Sequence, residues 1–178
     1  MKAPRKNTGG GALGPVVSSA HLASGASPAL SEFEFGLILV SHAFHRWMVR
    51  AMAAAGFSDL SPLDVLVLHT VNHRGKAKKL ADVCLVLNIE DTHLVTYALK
   101  KLERLRLVRG GRMGKEKSVA ITPAGEAACL RYRAIREALL VKAVKSMGVG
   151  ESEISEVAAQ MRALSGHYDQ AARSAASL

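Results

Sequence analysis

Apolar and polar positions alternate with a helical period along most of the chain. Phe33, Leu37, Val40, Phe44, Trp47, Met48, Ala51 and Met52 recur at near-heptad spacing and end before Gly56, which predicts a long first helix. Ser31-Glu32-Phe33-Glu34 has the form of a capping box, Ser three residues before Glu, and marks its start. Ser61-Pro62-Leu63-Asp64 opens a second helix through Val65, Leu66, Leu68 and Val71, stopping near Gly75. A third, short helix covers about 78–87, with Leu80, Val83, Cys84 and Leu87 on one face. Asn88-Ile89-Glu90-Asp91 offers the next cap, and a fourth helix runs to about Leu105. A further start at Thr122-Pro123-Ala124-Gly125 leads a long helix to about Met147, broken by Gly148 and Gly150. A last helix, about 151–172, carries Ile154, Val157, Ala158, Met161 and Leu164 on one face.

Between the fourth helix and the next start the pattern changes. Residues 107–122 read LVRGGRMGKEKSVAIT, two short β-prone runs around a glycine-rich, cationic stretch, which predicts a hairpin with Gly110, Gly111 and Gly114 in its turn. The order is helix, helix, short helix, helix, hairpin, helix, helix. Helices two to four plus the hairpin fall within about 60 residues, the layout of a winged helix-turn-helix. The expected fold class is therefore mainly α with a small β-hairpin wing, the winged core being flanked by outer helices.

Composition agrees. Of 178 residues, 49% are hydrophobic but only 4% aromatic, and the abundance of Ala, Leu and Val favours helices. No apolar run approaches the ~20 residues that span a bilayer, so no membrane partner is expected. Residues 1–30 start basic and hold no compact apolar segment before a cleavage site; they read as a flexible basic arm rather than a signal peptide. Cys84 and Cys129 are then most simply reduced thiols in a cytoplasmic protein.

Charge changes the picture once it is located. The net charge is +9, and residues 74–117 hold twelve basic residues against five acidic, a local excess of seven. Residues 1–10 add three more positive charges, while 11–73 and 118–178 are near neutral. Concentrated charge of this kind points to a polyanionic partner at the middle segment. On the fourth helix, Val95, Ala98, Leu99 and Leu102 fall within one narrow arc that must be core. The opposite arc carries His93, Thr96, Tyr97, Lys100, Lys101 and Arg104, donor-rich side chains suited to base edges near the helix start and to phosphates further along. The turn Arg74-Gly75-Lys76-Ala77-Lys78-Lys79 adds four positive charges without an acid. The expected DNA-contacting residues are Lys76, Lys78 and Lys79 from that turn, Thr92, His93, Thr96, Tyr97 and Lys100 from the helix, and Arg109, Arg112, Lys115 and Lys117 from the wing. A winged-helix module that binds protein or RNA is the alternative.

Other chemistry is thinly represented. His42 with His45, and His69 with His73, have helical spacing that could hold a metal, but no Cys or carboxylate pattern completes a ligand set. Cys84 and Cys129 fall on apolar stripes, where Cys acts as a small hydrophobe rather than a redox switch. No nucleophile-and-base pair, phosphate-binding glycine loop or paired-carboxylate motif is present, so neither an enzyme nor a cofactor or metal is expected.

Several linked motifs resemble the MarR family of winged helix-turn-helix transcription regulators. They are Leu60-Ser61-Pro62-Leu63-Asp64-Val65-Leu66-Val67-Leu68, the stretch Leu94-Val95-Thr96-Tyr97-Ala98-Leu99-Lys100-Lys101-Leu102-Glu103 followed by Leu107-Val108, and Ile121-Thr122-Pro123-Ala124-Gly125. The resemblance covers about 31–150 and implies a homodimer on a pseudo-palindromic operator, with 60–122 as the DNA-binding core. It assigns 31–56 and 123–178 to dimerisation within a single domain over 31–178. It also suggests a small-molecule effector, of unknown identity, near Phe44, Trp47 and Met48, although ordinary core packing accounts for those three residues. Two departures stand out: the wing is short, and the family's Asp-x-Arg wing motif reads Met113-Gly114-Lys115, a point charge in place of a guanidinium fork.

Overall fold

The computed structural model describes residues 14–178. They pack as two compact units, one up to Arg50 and one from Ala51 onward.

The first unit holds α1 (Ala20–Ala23) and most of α2 (Pro28–Ala54). The long helix begins three residues before the expected capping box. Ser27-Pro28 is the operative start: the Leu30 amide donates to the Ser27 carbonyl at 3.1 Å, and proline's fixed φ suits a first turn. Ser31 is buried and donates its hydroxyl to the Leu22 carbonyl at 2.8 Å, while the Glu32 carboxylate accepts from the Val16 amide at 3.2 Å. Of the expected arm over 1–30, residues 1–13 lie outside the described residues, and 14–30 already carry a helical turn and the head of α2. Along α2, Met48, Ala51 and Met52 are buried, whereas Ile38, Leu39, Val40 and Phe44 are exposed.

The second unit is built on α3 (Pro62–Asn72), whose capping box closes both ways: the Asp64 amide donates to Ser61 Oγ at 3.2 Å and Ser61's amide to Asp64 Oδ2 at 2.8 Å. A short strand β1 (Lys78–Lys79) precedes α4 (Leu80–Leu87), which ends on Asn88 in the left-handed region. α5 (Thr92–Arg104) starts on Asp91, whose side chain accepts from the His93 amide at 2.9 Å. The wing consists of β2 (Val108–Met113) and β3 (Glu116–Ile121), and β1 pairs with the free side of β3 to give the antiparallel order β1-β3-β2. This third strand departs from the sequence pattern, in which residues 78–79 begin a helix.

α6 (Pro123–Ile135) is held at its start by Thr122, whose hydroxyl accepts from the Gly125 amide at 3.0 Å and donates to the Arg106 carbonyl at 2.7 Å. Gly125 is required there by close packing, since a Cβ would stand 2.0 Å from the Leu107 carbonyl oxygen. The Thr-Pro-Ala-Gly motif thus locks the end of the wing to the start of α6. One π-helical stretch (Arg136–Val141) leads into α7 (Lys142–Ser146), and α8 (Glu151–Ala175) follows. The core gathers Val65, Leu68 and Val71 of α3, Val83 of α4, Val95, Ala98 and Leu102 of α5, and Leu107, Val119 and Ala128, all nearly inaccessible. Each such Val or Leu contributes ~1.5–3 kcal/mol over an exposed one. In contrast, α8 buries none of its 25 residues.

Candidate nucleic-acid interface

The core stripe of α5 sets which side chains it presents outward. His93, Tyr97, Lys100 and Arg104 are exposed, Tyr97 at 69%, and Thr92 stands exposed at the first turn. Thr96 is half-buried and its hydroxyl donates to the Thr92 carbonyl at 2.9 Å, which leaves its oxygen lone pairs to accept from a base amine. Of the two acids at the helix start, Asp91 serves as the cap, where its charge also suits the helix dipole.

Lys101 departs from expectation. Read as part of the outward basic arc, it instead turns inward, with its side chain 18% exposed and Nζ at 3.1 Å from Asp64 Oδ2 and 3.7 Å from Asp59 Oδ2. The Asp64 side chain is only 5% exposed, so its carboxylate needs a partner and draws the ammonium in.

The wing is longer in strand and tighter in turn than expected. Met113 faces Glu116, so Gly114 and Lys115 alone form the turn, and Gly114 takes the left-handed φ of 65°. Gly110 and Gly111 lie within β2 instead. A Cβ at Gly110 would meet Glu103 Oε1 at 2.6 Å, and one at Gly111 would meet Ser118 Oγ at 3.3 Å, so their role is to let side chains of α5 and β3 close in. The register pairs Gly110 with Val119 and Arg112 with Lys117. Strand alternation then puts Val108, Gly110 and Arg112 on one face with Val119 and Lys117, and Arg109 on the other. Lys115 sits at the tip.

Between α5 and the wing runs a groove of about 380 Å³ lined by Thr96, Lys100 and Glu103 on one side and Gly110, Arg112 and Lys117 on the other. The fold therefore brings together Thr96, Lys100, Arg112 and Lys117. Glu103 is a groove residue that charge counting passes over, although its place is legible: Thr96, Lys100 and Glu103 stand at i, i+4 and i+7 on one helical face.

The basic turn before α4 is arranged differently. Lys76 is exposed. Lys78 donates Nζ to the carbonyls of Val71 (3.1 Å), His73 and Lys76 (3.1 Å), closing the end of α3; burial, and then Arg74, push its pKa down. Lys79 is ion-paired with Glu116 of the wing, and that hydrogen bond raises its pKa. Two of the three lysines expected to meet phosphate thus have partners inside the protein.

A second cleft, about 350 Å³, lies between α3 and α6, lined by His69, Asn72, Cys129, Tyr132, Arg133 and Arg136. The His69 ring meets Tyr132 edge-on at 4.6 Å, its Nε2 has no hydrogen-bond partner among the described residues, and burial pushes its pKa down. Burial, then Glu126, pushes the Cys129 thiol up to about 11, the opposite of a reactive thiolate. Among the described residues no group of three or more His, Cys, Asp or Glu side chains gathers as for a metal, and no helix is long and apolar enough to cross a membrane.

Residues 60–125, from the cap of α3 to the start of α6, match the family described as winged helix DNA-binding domain. Solved structures of the same fold include a MarR family transcriptional regulator from Rhodococcus sp. RHA1, at 16% identity and a TM-score of 0.63 over 75% of this chain and 91% of that one. A MarR family regulator from Neisseria meningitidis gives 16% identity and a TM-score of 0.62 over 80% and 95%. CouR from Rhodococcus jostii RHA1, solved bound to p-coumaroyl-CoA, gives 16% and 0.63 over 74% and 90%. No curated protein matches the chain in sequence. Residues 60–125, with α5 and its wing laid out around a cationic groove, thus match a winged helix DNA-binding domain, and the chain shares the fold of solved MarR family regulators.

Proposed function

We propose that this chain is a homodimeric, sequence-specific regulator that binds double-stranded DNA, with α5 in the major groove and the wing on the backbone or minor groove. The observation that carries this reading is the pairing of Arg112 directly opposite Lys117. Like charges facing across a strand pair destabilise it, and among the described residues neither is ion-paired with an acid. A hairpin that holds two such cations beside a recognition helix is built for a polyanion. Arg109 and Lys115 extend the same field, and His93, Thr96 and Tyr97 are the base readers.

The dimer is supported by uncovered apolar surface. Ile38, Leu39, Val40 and Phe44 on α2, and Ile154, Val157 and Met161 on α8, are exposed in the single chain. A second copy covers them, with 31–56 and 123–178 as dimerisation helices, 60–122 as the DNA-binding core, and the whole of 31–178 working as one domain. Two-fold symmetry calls for a pseudo-palindromic operator with half-sites ~34–36 Å apart. The cleft between α3 and α6, with Arg133 and Arg136 at its edge, has room for a small-molecule effector, as CouR holds an acyl-CoA. Such a regulator acts in the cytoplasm.

Selection of duplexes from a random pool tests the reading, together with light scattering at micromolar concentration. The expected results are an enriched inverted repeat and twice the monomer mass. A pool that never enriches, or a monodisperse monomer, refutes it.

A further inference from the structure

The inward turn of Lys101 has a consequence for the face that α5 presents. α5 rests on α3 and its neighbours through Val95, Ala98 and Leu102, all at or near zero exposure. That stripe sets which face of α5 turns outward, but apolar packing is non-directional and leaves a small residual roll about the helix axis unfixed. One directional interaction would fix it, and Lys101 supplies one. Its Nζ meets Asp64 Oδ2, the same oxygen that receives the Ser61 amide at the head of α3. The carboxylate is thereby held from the α3 side by its own capping box, and the ammonium reaches it from α5.

We infer that Lys101 is the positioning residue of the recognition helix: its ion pair with Asp64 locks the roll of α5 and so aims the base-reading side chains without touching DNA itself. At about 100° per residue, Lys101 is displaced from Tyr97 by about 40° around the axis and from His93 by about 80°. Fixing one fixes the others. Asp59, also within 4.0 Å of Nζ but itself exposed, adds charge complementarity at the rim of the pair. The inference rests on the proposed function, since it concerns how the same helix reads sequence.

The test compares wild type with Lys101→Met, Lys101→Arg and Lys100→Ala, each titrated against selected and scrambled duplexes over a range of salt. For Lys101→Met we expect the preference for the selected duplex to fall about ten-fold or more while the salt slope stays at the wild-type value. Lys101→Arg, which keeps the charge and a donor toward Asp64, should restore most of the preference. Lys100→Ala should do the reverse, lowering the slope by about 0.9, the amount that one phosphate interaction contributes. Should Lys101→Met fail to fold, lysine-ammonium spectra of nitrogen-labelled wild type decide the matter: the Lys101 signal stays unchanged on DNA binding if it remains on Asp64. A slope lowered by Lys101→Met, an unchanged preference in the folded variant, or a Lys101 signal that shifts with DNA overturns the inference. A wild type without any sequence preference overturns the proposed function, and the inference with it.

Discussion

The turn at 74–79 and the wing at 109–117 each bring four basic residues to the winged-helix core, and as strings of letters they are hard to tell apart. In the fold they part ways. Lys78 closes the end of α3 on three carbonyls and Lys79 is paired with Glu116, so half of the first cluster is engaged in holding the protein together. In the second, Arg112 faces Lys117 and both line the groove beside α5. Counting charge locates a cationic region; only the partners reveal which cations remain available to a ligand.

The contrast can be broken most directly on the wing. Replacing Arg112 and Lys117 together by Ala should weaken binding to every duplex, by ~1.5–3 kcal/mol for each charge-assisted hydrogen bond to phosphate that is removed. The salt slope should fall by about 0.9 per phosphate released. Thermal stability should hold or rise slightly, because a repulsive cross-strand pair has gone. Titrations at several salt concentrations, alongside melting curves, report both quantities; a stability loss with unchanged slope would make the wing cations structural.

Lys78→Met should show the opposite profile. Losing donors to three carbonyls at the end of α3 should cost ~1–2 kcal/mol in denaturant unfolding, with little change in salt slope. A large slope change at unaltered stability would return Lys78 to the phosphate-binding set. A smaller effect sharpens the comparison from inside it. Glu116→Gln frees Lys79, and if the free ammonium reaches phosphate the slope should rise, by at most about 0.9, while the melting temperature hardly moves.

Acidification probes the shared support beneath both stretches. Burial depresses the pKa of His69 below 6.5, so the fold prefers it neutral. The stability this confers is present above the unfolded value of 6.5 and is lost as pH falls through the lower folded value. Melting temperatures should therefore drop as pH is taken below 6.5, and His69→Gln should flatten the fall. An equal fall in the variant would assign it to other groups.

Much of this arrangement is legible from local chemistry. Ser61 with Asp64, Thr122 with Gly125, and Val95, Ala98 and Leu102 of the expected core arc behave as their spacing dictates, because caps and helical faces depend on neighbours a few residues away. Leu99 of that arc is instead half-buried and lines the groove beside the wing. The failures arise from partners that spacing does not reveal. Two serine starts compete at the head of α2, and Ser27 wins because Pro28 follows it while Ser31 finds the Leu22 carbonyl. Gly110 looks like a turn residue until Glu103, on another element, is found where its side chain would be. Lys78 and Lys79 form a strand only because β3 offers an edge, and Lys101 turns inward only because Asp64 is buried beneath it. Periodicity along one helix cannot show any of these partners.

The opposed Arg112 and Lys117 give the wing an unusual response to its medium. Added salt screens their repulsion and steadies the free hairpin, yet the same salt competes with the protein for phosphate and loosens any DNA complex. One variable thus stiffens the reader while weakening its grip. On the proposed reading, dilute salt leaves the wing least settled where its attraction to a duplex would be strongest.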